Sequence, residues 1–396
     1  MKLPNFSKFS NLFKPKSYLG VDIGTSSLKI VQLSKQRETF RLDNYGEVKF
    51  FEENVPMEVH QQSSLKIPDE EIAELLKKIM AETKTTATQA AFSLPVFSAF
   101  STIIEMPKLP QDEMEKAIQF EARQYVPIPI SEVSLGFVVM GEEQKINQQT
   151  AGAAAPVPSG TFGRAALPQN AESKRKKNVE VLLVAVPNEI KNKYVHIAQL
   201  SGLELVAIEM ETFPLARALL KGAHETTLVV DIGARSTDIC IVDNGFVRIS
   251  HNFEFSGVDI TKAYGEFTHT DFAEAEKRKI VTGLDLTPGQ LDGAKNLLSI
   301  VDNIINECER IMSSYFNKTG RVVGHVVLSG GVSKMPGFLE RFGEKLPAGG
   351  EARNGRLIDV SLGDPFEGLI YPPELGKTLK DIGPSFAVAV GLAMRR

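Results

Sequence analysis

The chain has few cysteines, no long apolar run and little net charge, and each of these features argues against some classes of protein. Only two of its 396 residues are cysteine, Cys240 and Cys308, and they lack the spacing of a metal site, so we expect buried free thiols in a reducing compartment. No stretch of about 18 apolar residues is present, which predicts no membrane-spanning helix. The N-terminal segment lacks the continuous apolar core of a secretory signal. A formal net charge of −4 argues against a general nucleic-acid role.

One short motif is present twice. Residues 22–27 read Asp-Ile-Gly-Thr-Ser-Ser and residues 231–236 read Asp-Ile-Gly-Ala-Arg-Ser, so Asp, Ile, Gly and the last Ser recur at the same offsets. Each copy lies between two apolar runs of strand type, which predicts a tight turn between two strands. The second unit ends at residues 243–245, Asp-Asn-Gly, a strong hairpin signal.

The residue types in both copies suit a nucleotide triphosphate with a cation. Gly24 and Gly233 let the backbone bring its N–H groups close to an anion. Asp22 and Asp231 end their strands, where a carboxylate can hold Mg²⁺ through its waters. The hydroxyl donors in and after the turns are Thr25, Ser26, Ser27, Ser236 and Thr237. One copy alone would indicate an ordinary Asp-Gly turn, whereas two matched copies favour phosphate binding.

A pair of glycines ends a third apolar segment. Residues 322–331 read Val-Val-Gly-His-Val-Val-Leu-Ser-Gly-Gly, and a helical pattern follows at Phe338 to Leu346. Gly330 and Gly331 at a strand end would permit close approach of a flat ring or a ribose. A plain tight turn is an equally good interpretation of this segment alone.

In this order the three motifs resemble the phosphate-1, phosphate-2 and adenosine motifs of the actin, Hsp70 and sugar-kinase superfamily. Within it, the opening Gly-Val-Asp-Ile-Gly-Thr-Ser-Ser-Leu-Lys-Ile-Val-Gln-Leu is similar to the PilM family of type IV pilus assembly proteins, a branch shared with the division protein FtsA. Ala234 stands where FtsA-like and Hsp70-like proteins usually have glycine. The resemblance implies an α/β, actin-like (ribonuclease H-like) fold of two lobes, with a nucleotide cleft and an FtsA-like small subdomain.

The resemblance adds residues to the candidate nucleotide site. Lys29, seven residues after Asp22, is at a spacing from which relatives reach the phosphates, although a solvated strand lysine is the plainer interpretation. Gly257 is at a phosphate contact where relatives often have two glycines. Glu276 and Lys279 match a Glu and a Lys that hold ribose and adenine, or they are an exposed ion pair at i,i+3. Arg235 replaces a usual glycine and either contacts phosphate or obstructs the loop.

At 396 residues, the chain is expected to form more than one core. We predict a basic amphipathic arm, a first lobe in three segments, a small α+β subdomain and a second lobe. These cover, in that order, residues 1–16; residues 17–89 with 187–220 and 375–396; residues 90–186, with a disordered loop at 142–178; and residues 221–374.

The resemblance implies a cytoplasmic protein, peripheral to the inner membrane, that binds ATP or ADP with Mg²⁺. It also implies that subdomain 90–186 takes the N-terminal tail of a PilN-like inner-membrane partner, with Phe92, Leu94, Val96, Phe97 and Phe100 either lining a groove or packing in a core. Self-association is left open, as is contact of residues 1–16 with a membrane.

No group that orients water can be placed, so the catalytic residues are unknown and at most weak hydrolysis is expected. The alternatives are an FtsA-like filament protein and a sugar-kinase-like or Hsp70-like enzyme.

Overall fold

The computed structural model describes residues 17–50, 64–140, 178–222, 224–287, 294–346 and 358–395. The chain divides into two compact units, a larger one of Met1–Ser98 with Asn192–Arg395 and a smaller one of Ala99–Lys191. The predicted arm at 1–16 lies outside the described residues. So does the predicted loop at 142–178, except for residue 178, which begins a strand.

The described residues form both strands and α-helices. The strands are β1 (Ser17–Ile23), β2 (Ser27–Gln36), β3 (Thr39–Lys49), β4 (Gln89–Leu94), β5 (Phe100–Pro107), β6 (Val133–Val139), β7 (Asn178–Pro187), β8 (Glu204–Met210), β9 (Thr227–Ile232), β10 (Thr237–Asp243), β11 (Phe246–Phe253), β12 (His325–Ser329) and β13 (Asp359–Leu362). The α-helices are α1 (Asp69–Glu82), α2 (Gln111–Glu121), α3 (Asn188–Leu200), α4 (Thr212–Leu220), α5 (Gly257–Thr268), α6 (Phe272–Val281), α7 (Lys295–Thr319), α8 (Phe338–Lys345) and α9 (Gly376–Ala393).

The larger unit contains two five-stranded sheets with the same arrangement. The first has the order β3-β2-β1-β4-β8 and the second the order β11-β10-β9-β12-β13. In each sheet the first three strands are antiparallel, and the rest are parallel to the strand that carries the Asp-Ile-Gly motif. We call the parts built on these sheets the first and second lobes. The repeated motif thus belongs to a repeated sheet.

The predicted hairpin in the second lobe is confirmed. Strands β10 and β11 pair from Asp243 and Phe246, which leaves a two-residue loop. Both loop residues have positive φ, 52° at Asn244 and 78° at Gly245. This is the type I′ turn, whose twist matches that of the strands it joins.

The smaller unit is a three-stranded antiparallel sheet, β5-β7-β6, packed on one face by α2. Met114, Ile118 and Ala122 pack with strand residues such as Val181 and Leu183. The three residues recur at helical spacing, so α2 has one apolar side.

The predicted start of the small subdomain at residue 90 is wrong. Strand β4 pairs with β1 and β8 in the first lobe, so the boundary lies at Ala99. A short apolar strand carries no signal for which sheet it joins, and this one pairs in parallel with two buried strands and is itself buried. Phe92 and Leu94 are accordingly core residues, with 0% and 1% of their surface exposed, and they line no groove.

Helix α9 begins at Gly376 and continues through Pro384, which cannot donate a backbone hydrogen bond. The Pro384 carbonyl accepts hydrogen bonds from outside the helix, from Gly330 N–H at 2.9 Å and Ser329 Oγ at 2.8 Å.

The small residues of α9 allow it to pack against backbone. A Cβ added at Gly20 of β1 would lie 2.0 Å from the carbonyl oxygen of Ala389, and one added at Gly391 would lie 1.9 Å from that of Pro214 in α4. The two helices and β1 are therefore in direct backbone contact.

Candidate functional site

The two Asp-Ile-Gly turns close with the same hydrogen bond. Gly24 N–H donates to the carbonyl of Ser27 at 3.1 Å, and Gly233 N–H donates to that of Ser236 at 2.9 Å. An added Cβ would lie 3.0 Å from this carbonyl in the first turn and 3.1 Å from it in the second. Both glycines therefore keep the turn tight, as the motif predicts.

Asp22 and Asp231 occupy equivalent positions at the ends of β1 and β9. Asp22 accepts from Ser93 Oγ at 2.8 Å, and the Ser329 side chain interacts with Asp231. Each serine belongs to the neighbouring parallel strand. Across the antiparallel pair, however, Asp22 lies opposite Lys29, whereas Asp231 lies opposite Asp238. The two halves thus share geometry and differ in charge.

Four acids converge where the two motifs meet. Burial removes water from the four carboxyl groups and raises the pKa of each, that of Asp22 included. The pKa of Asp231 rises to about 7 and that of Asp238 to about 6. The pKa of Glu211, at the start of α4, lies well above its usual value. Mutual repulsion adds to this, and Lys29 partly offsets it at Asp22 and Asp231. The side chains of Glu211 and Asp238 are hydrogen-bonded to each other. A cluster of this kind is suited to a cation that arrives with a ligand.

The sequence did not single out Glu211 or Asp238. Glu211 reads as the first residue of a connecting helix, and only the fold brings it to the strand ends. Asp238 had a signal, because it stands seven residues after Asp231 just as Lys29 stands seven after Asp22.

Side chains beyond the first turn form a polar chain. Ser27 Oγ donates to Glu47 Oε1 at 2.7 Å, and Lys29 Nζ donates to Ser27 Oγ at 2.8 Å. The Lys29 side chain is 12% exposed. Lys29 is therefore not a solvated lysine on the surface of a strand. Thr25 is half-buried and Ser26 exposed at the tip of the turn.

The second turn is bonded to the start of α5. Gly257 N–H donates to the carbonyl of Gly233 at 3.0 Å, and Val258 N–H donates to that of Ala234 at 2.9 Å. Gly257 thus lies beside the phosphate-2 motif. Thr237 is buried and donates to the carbonyl of Phe255 at 2.6 Å, so its hydroxyl is used inside the protein and not offered to a ligand. This corrects the prediction for Thr237.

Arg235 and Ser236 remain at the surface of the second turn, each half-buried. Burial lowers the pKa of Arg235, and the nearby Asp259 opposes this change. Arg235 is thus a cation beside the helix start, held toward an acid of α5. It is placed to contact an anion at this turn.

Glu276 and Lys279 of α6 lie against the start of α5. Lys279 Nζ donates to Glu276 Oε2 at 2.6 Å, to Thr261 Oγ1 at 2.8 Å and to the carbonyl of Gly257 at 3.2 Å. Lys279 is only 7% exposed, so this is not a purely solvated ion pair. The pair stands beside the second turn.

The glycine pair after β12 has two different roles. Gly330 has φ 82°, and a Cβ there would lie 2.3 Å from the carbonyl oxygen of Ile232, so this position requires glycine. At Gly331 an added Cβ would meet nothing within 4 Å. A Cβ added at Gly257 would lie 2.9 Å from the side chain of Val332, so the glycine pair that precedes Val332 lies beside the second turn. The space over Gly331 suits a flat ring.

Among the described residues, no group of three or more His, Cys, Asp and Glu side chains is placed to hold a metal ion directly, so the four acids would reach a cation only through its waters. No helix of the described chain has the length and apolar character needed to cross a bilayer. Cys240 and Cys308 are buried free thiols, as predicted.

Comparison with known proteins assigns the fold. The family model "Type IV pilus assembly protein PilM" matches residues 20–153 and 166–396. A solved structure, the PilM-PilN type IV pilus biogenesis complex, is similar at a TM-score of 0.71 and 24% identity over 96% of this chain and 98% of that one. The ethanolamine utilization protein EutJ from Carboxydothermus hydrogenoformans is similar at 0.49 and 15%, over 96% and 90%. The MamK double helical filament is similar at 0.48 and 14%, over 95% and 97%. The predicted actin-like α/β fold is confirmed.

Proposed function

The chain belongs to the PilM family of type IV pilus assembly proteins, and from this membership and the geometry of its two turns we propose that it binds ATP or ADP with Mg²⁺ and takes the N-terminal tail of a PilN-like partner. The observation that carries the nucleotide is the pair of turns with identical hydrogen bonds, around which four acids converge. The partner is proposed from the family and from the named complex to which the fold is similar.

Each part of a magnesium nucleotide has residues that suit it. The turns at Gly24 and Gly233 offer backbone N–H groups and a surface of hydroxyls and Arg235 to phosphates. Asp22 and Asp231 would contact Mg²⁺ through its waters. Bound there, the cation supplies positive charge that offsets the phosphates and the acids.

The remaining candidates suit the nucleoside. Glu276 lies near Gly257 and would contact the ribose, while Lys279, whose three N–H donors go to Glu276, Thr261 and the Gly257 carbonyl, would hold Glu276 in place. Gly331 leaves space for a flat ring beside them. We propose a binding protein and not a fast enzyme. Fast hydrolysis needs a group that orients water, and the Glu211 side chain, at the start of α4, is already hydrogen-bonded to Asp238.

Asp22→Asn should separate cation binding from folding. It keeps the oxygen that accepts from Ser93 and removes one of the four crowded acids. Because burial raises the folded-state pKa of Asp22, its stabilising contribution is lost as pH rises through that pKa. At pH 8 we therefore expect equal or greater stability in urea, and Mg·ATP affinity lower by about tenfold or more, from the loss of one charged contact. Calorimetric titration measures the affinity, and unchanged Mg·ATP binding would remove Asp22 from the site.

The partner tail is proposed to pair with the smaller unit. In the described chain, β5 and β6 are the outer strands of its sheet, each paired on one side only. The sequence of β6, Val-Ser-Leu-Gly-Phe-Val-Val, has no charge, and its Val138 is 38% exposed. Strand β5 carries Glu105 and ends at Pro107. An uncharged edge accepts an added strand most readily.

A peptide of the PilN tail should bind the full chain and a variant that lacks residues 143–177. Val138→Lys places a charge on the proposed edge and should weaken binding by about tenfold or more. Ser101→Lys on β5 is the matched control and should bind as the unaltered chain does. Fluorescence anisotropy with a scrambled peptide as reference measures this. Binding lost in Ser101→Lys but kept in Val138→Lys would move the peptide to the other edge, and no binding by any form would exclude the partner.

A further inference from the structure

The donors of the first turn are already engaged by a carboxylate of the same lobe. Glu47 Oε1 accepts from Ser27 Oγ at 2.7 Å and lies 3.4 Å from Lys29 Nζ. Lys29 in turn donates to Ser27 Oγ at 2.8 Å. A hydroxyl and an ammonium group side by side are what a phosphate oxygen would take at this position.

The strand pairing fixes Glu47 in this place. In β3 it lies opposite Lys29 of β2, next to the pair of Ser27 with Lys49. Burial favours the neutral acid, but Lys29 and the Ser27 hydroxyl outweigh it, and the pKa of Glu47 lies below its usual value. Glu47 is therefore ionised at neutral pH. Its side chain is 40% exposed, so it can leave these partners for water at modest cost.

A second ammonium group, from the second lobe, interacts electrostatically with the same carboxylate. Lys334 follows the Gly330-Gly331 pair, and its exposed side chain interacts electrostatically with Glu47, Lys29 and Asp381. Lys334 Nζ lies 3.5 Å from Ser385 Oγ. Glu47 thus interacts electrostatically with a lysine of each lobe and contacts the first turn directly through Ser27.

We propose that Glu47 competes with phosphate groups for Ser27 and Lys29 and so lowers the affinity of the site for highly charged nucleotides. This inference rests on the proposed nucleotide function. Binding of a phosphate chain releases the Ser27 hydroxyl and Lys29 ammonium from Glu47, which then turns to water. The remaining negative charge acts against each added phosphate. The penalty is therefore largest for ATP, smaller for ADP and smallest for AMP.

Glu47→Gln tests the competition, because the amide keeps the shape and an acceptor for Ser27 but not the charge. Glu38→Gln is the matched control, since this exposed residue lies at the β2–β3 turn, at the other end of the same hairpin. Calorimetric titration of the full chain with ATP, ADP and AMP in Mg²⁺ measures the effect. We expect about tenfold tighter ATP binding in Glu47→Gln, as for one charged hydrogen bond returned to the ligand. The gain should shrink from ATP to AMP, and Glu38→Gln should be unchanged.

The outcomes separate this inference from the proposed function. If the unaltered chain binds ATP and Glu47→Gln binds equally or more weakly, Glu47 orients Lys29, and the competition is wrong while nucleotide binding stands. If only Glu47→Gln binds, both are supported. If neither form binds any of the three nucleotides, both fail. Thermal unfolding of Glu47→Gln and Glu47→Ala near that of the unaltered chain confirms that the titrations report on folded protein.

Discussion

Gly391→Ala should be among the most destabilising single substitutions in this chain. The new methyl group would stand 1.9 Å from the carbonyl oxygen of Pro214 and 2.8 Å from its Cα, so backbone and not a flexible side chain must move. Gly391 also accepts a hydrogen bond from Arg217 through its carbonyl. We expect the free energy of unfolding to fall by about 4 kcal/mol or more, the range of the largest point-mutant effects.

The same helix offers a control. Gly376 begins α9 with φ −52° and ψ −45°, and an added Cβ would meet nothing within 4 Å. Gly376→Ala should therefore raise stability by about 0.4–1 kcal/mol, because the unfolded chain loses freedom. Urea unfolding at equal protein concentration measures both variants. Equal stability of Gly391→Ala and the unaltered chain would mean that α9 does not pack on α4 as described.

Gly331→Val should abolish nucleotide binding without unfolding the protein. The backbone at Gly331 has φ −64° and ψ −34°, which valine adopts, and the added side chain enters open space. That space is where the proposed base lies. We expect affinity for Mg·ATP to fall by about a hundredfold or more, about 2.7 kcal/mol, and stability to stay within about 0.5 kcal/mol.

Gly343→Val is the matched control for this substitution. Gly343 lies on α8 of the same lobe, is exposed, and also has nothing within 4 Å of an added Cβ. Calorimetric titration should give unaltered Mg·ATP binding in Gly343→Val. ATP binding of normal strength in Gly331→Val would show that no base lies against the glycine pair.

The two turns of this site could be predicted from the sequence, because each depends only on residues that are neighbours in the chain. Asp, Gly and Ser at fixed offsets specify a turn wherever the chain places it, and the equal hydrogen bonds at Gly24 and Gly233 follow from equal offsets. The Asp-Asn-Gly hairpin is predictable for the same reason, because positive φ at Asn244 and Gly245 is a property of two residues.

What the sequence missed depends on contacts between distant segments. Glu211 joins Asp22 and Asp231 only because β8 ends in the same sheet as β1. Glu47 meets Ser27 through the register of β2 with β3, 20 residues away in sequence. The assignment of β4 to the first sheet is a long-range pairing of the same kind.

The most direct test is a crystal structure of the full chain with Mg²⁺ and a non-hydrolysable ATP analogue. We expect the phosphates between the turns at Gly24 and Gly233, the cation near Asp22 and Asp231, and the base over Gly331. Density for the analogue elsewhere in the chain, or at one turn with the other empty, would contradict a single nucleotide site built from both Asp-Ile-Gly motifs.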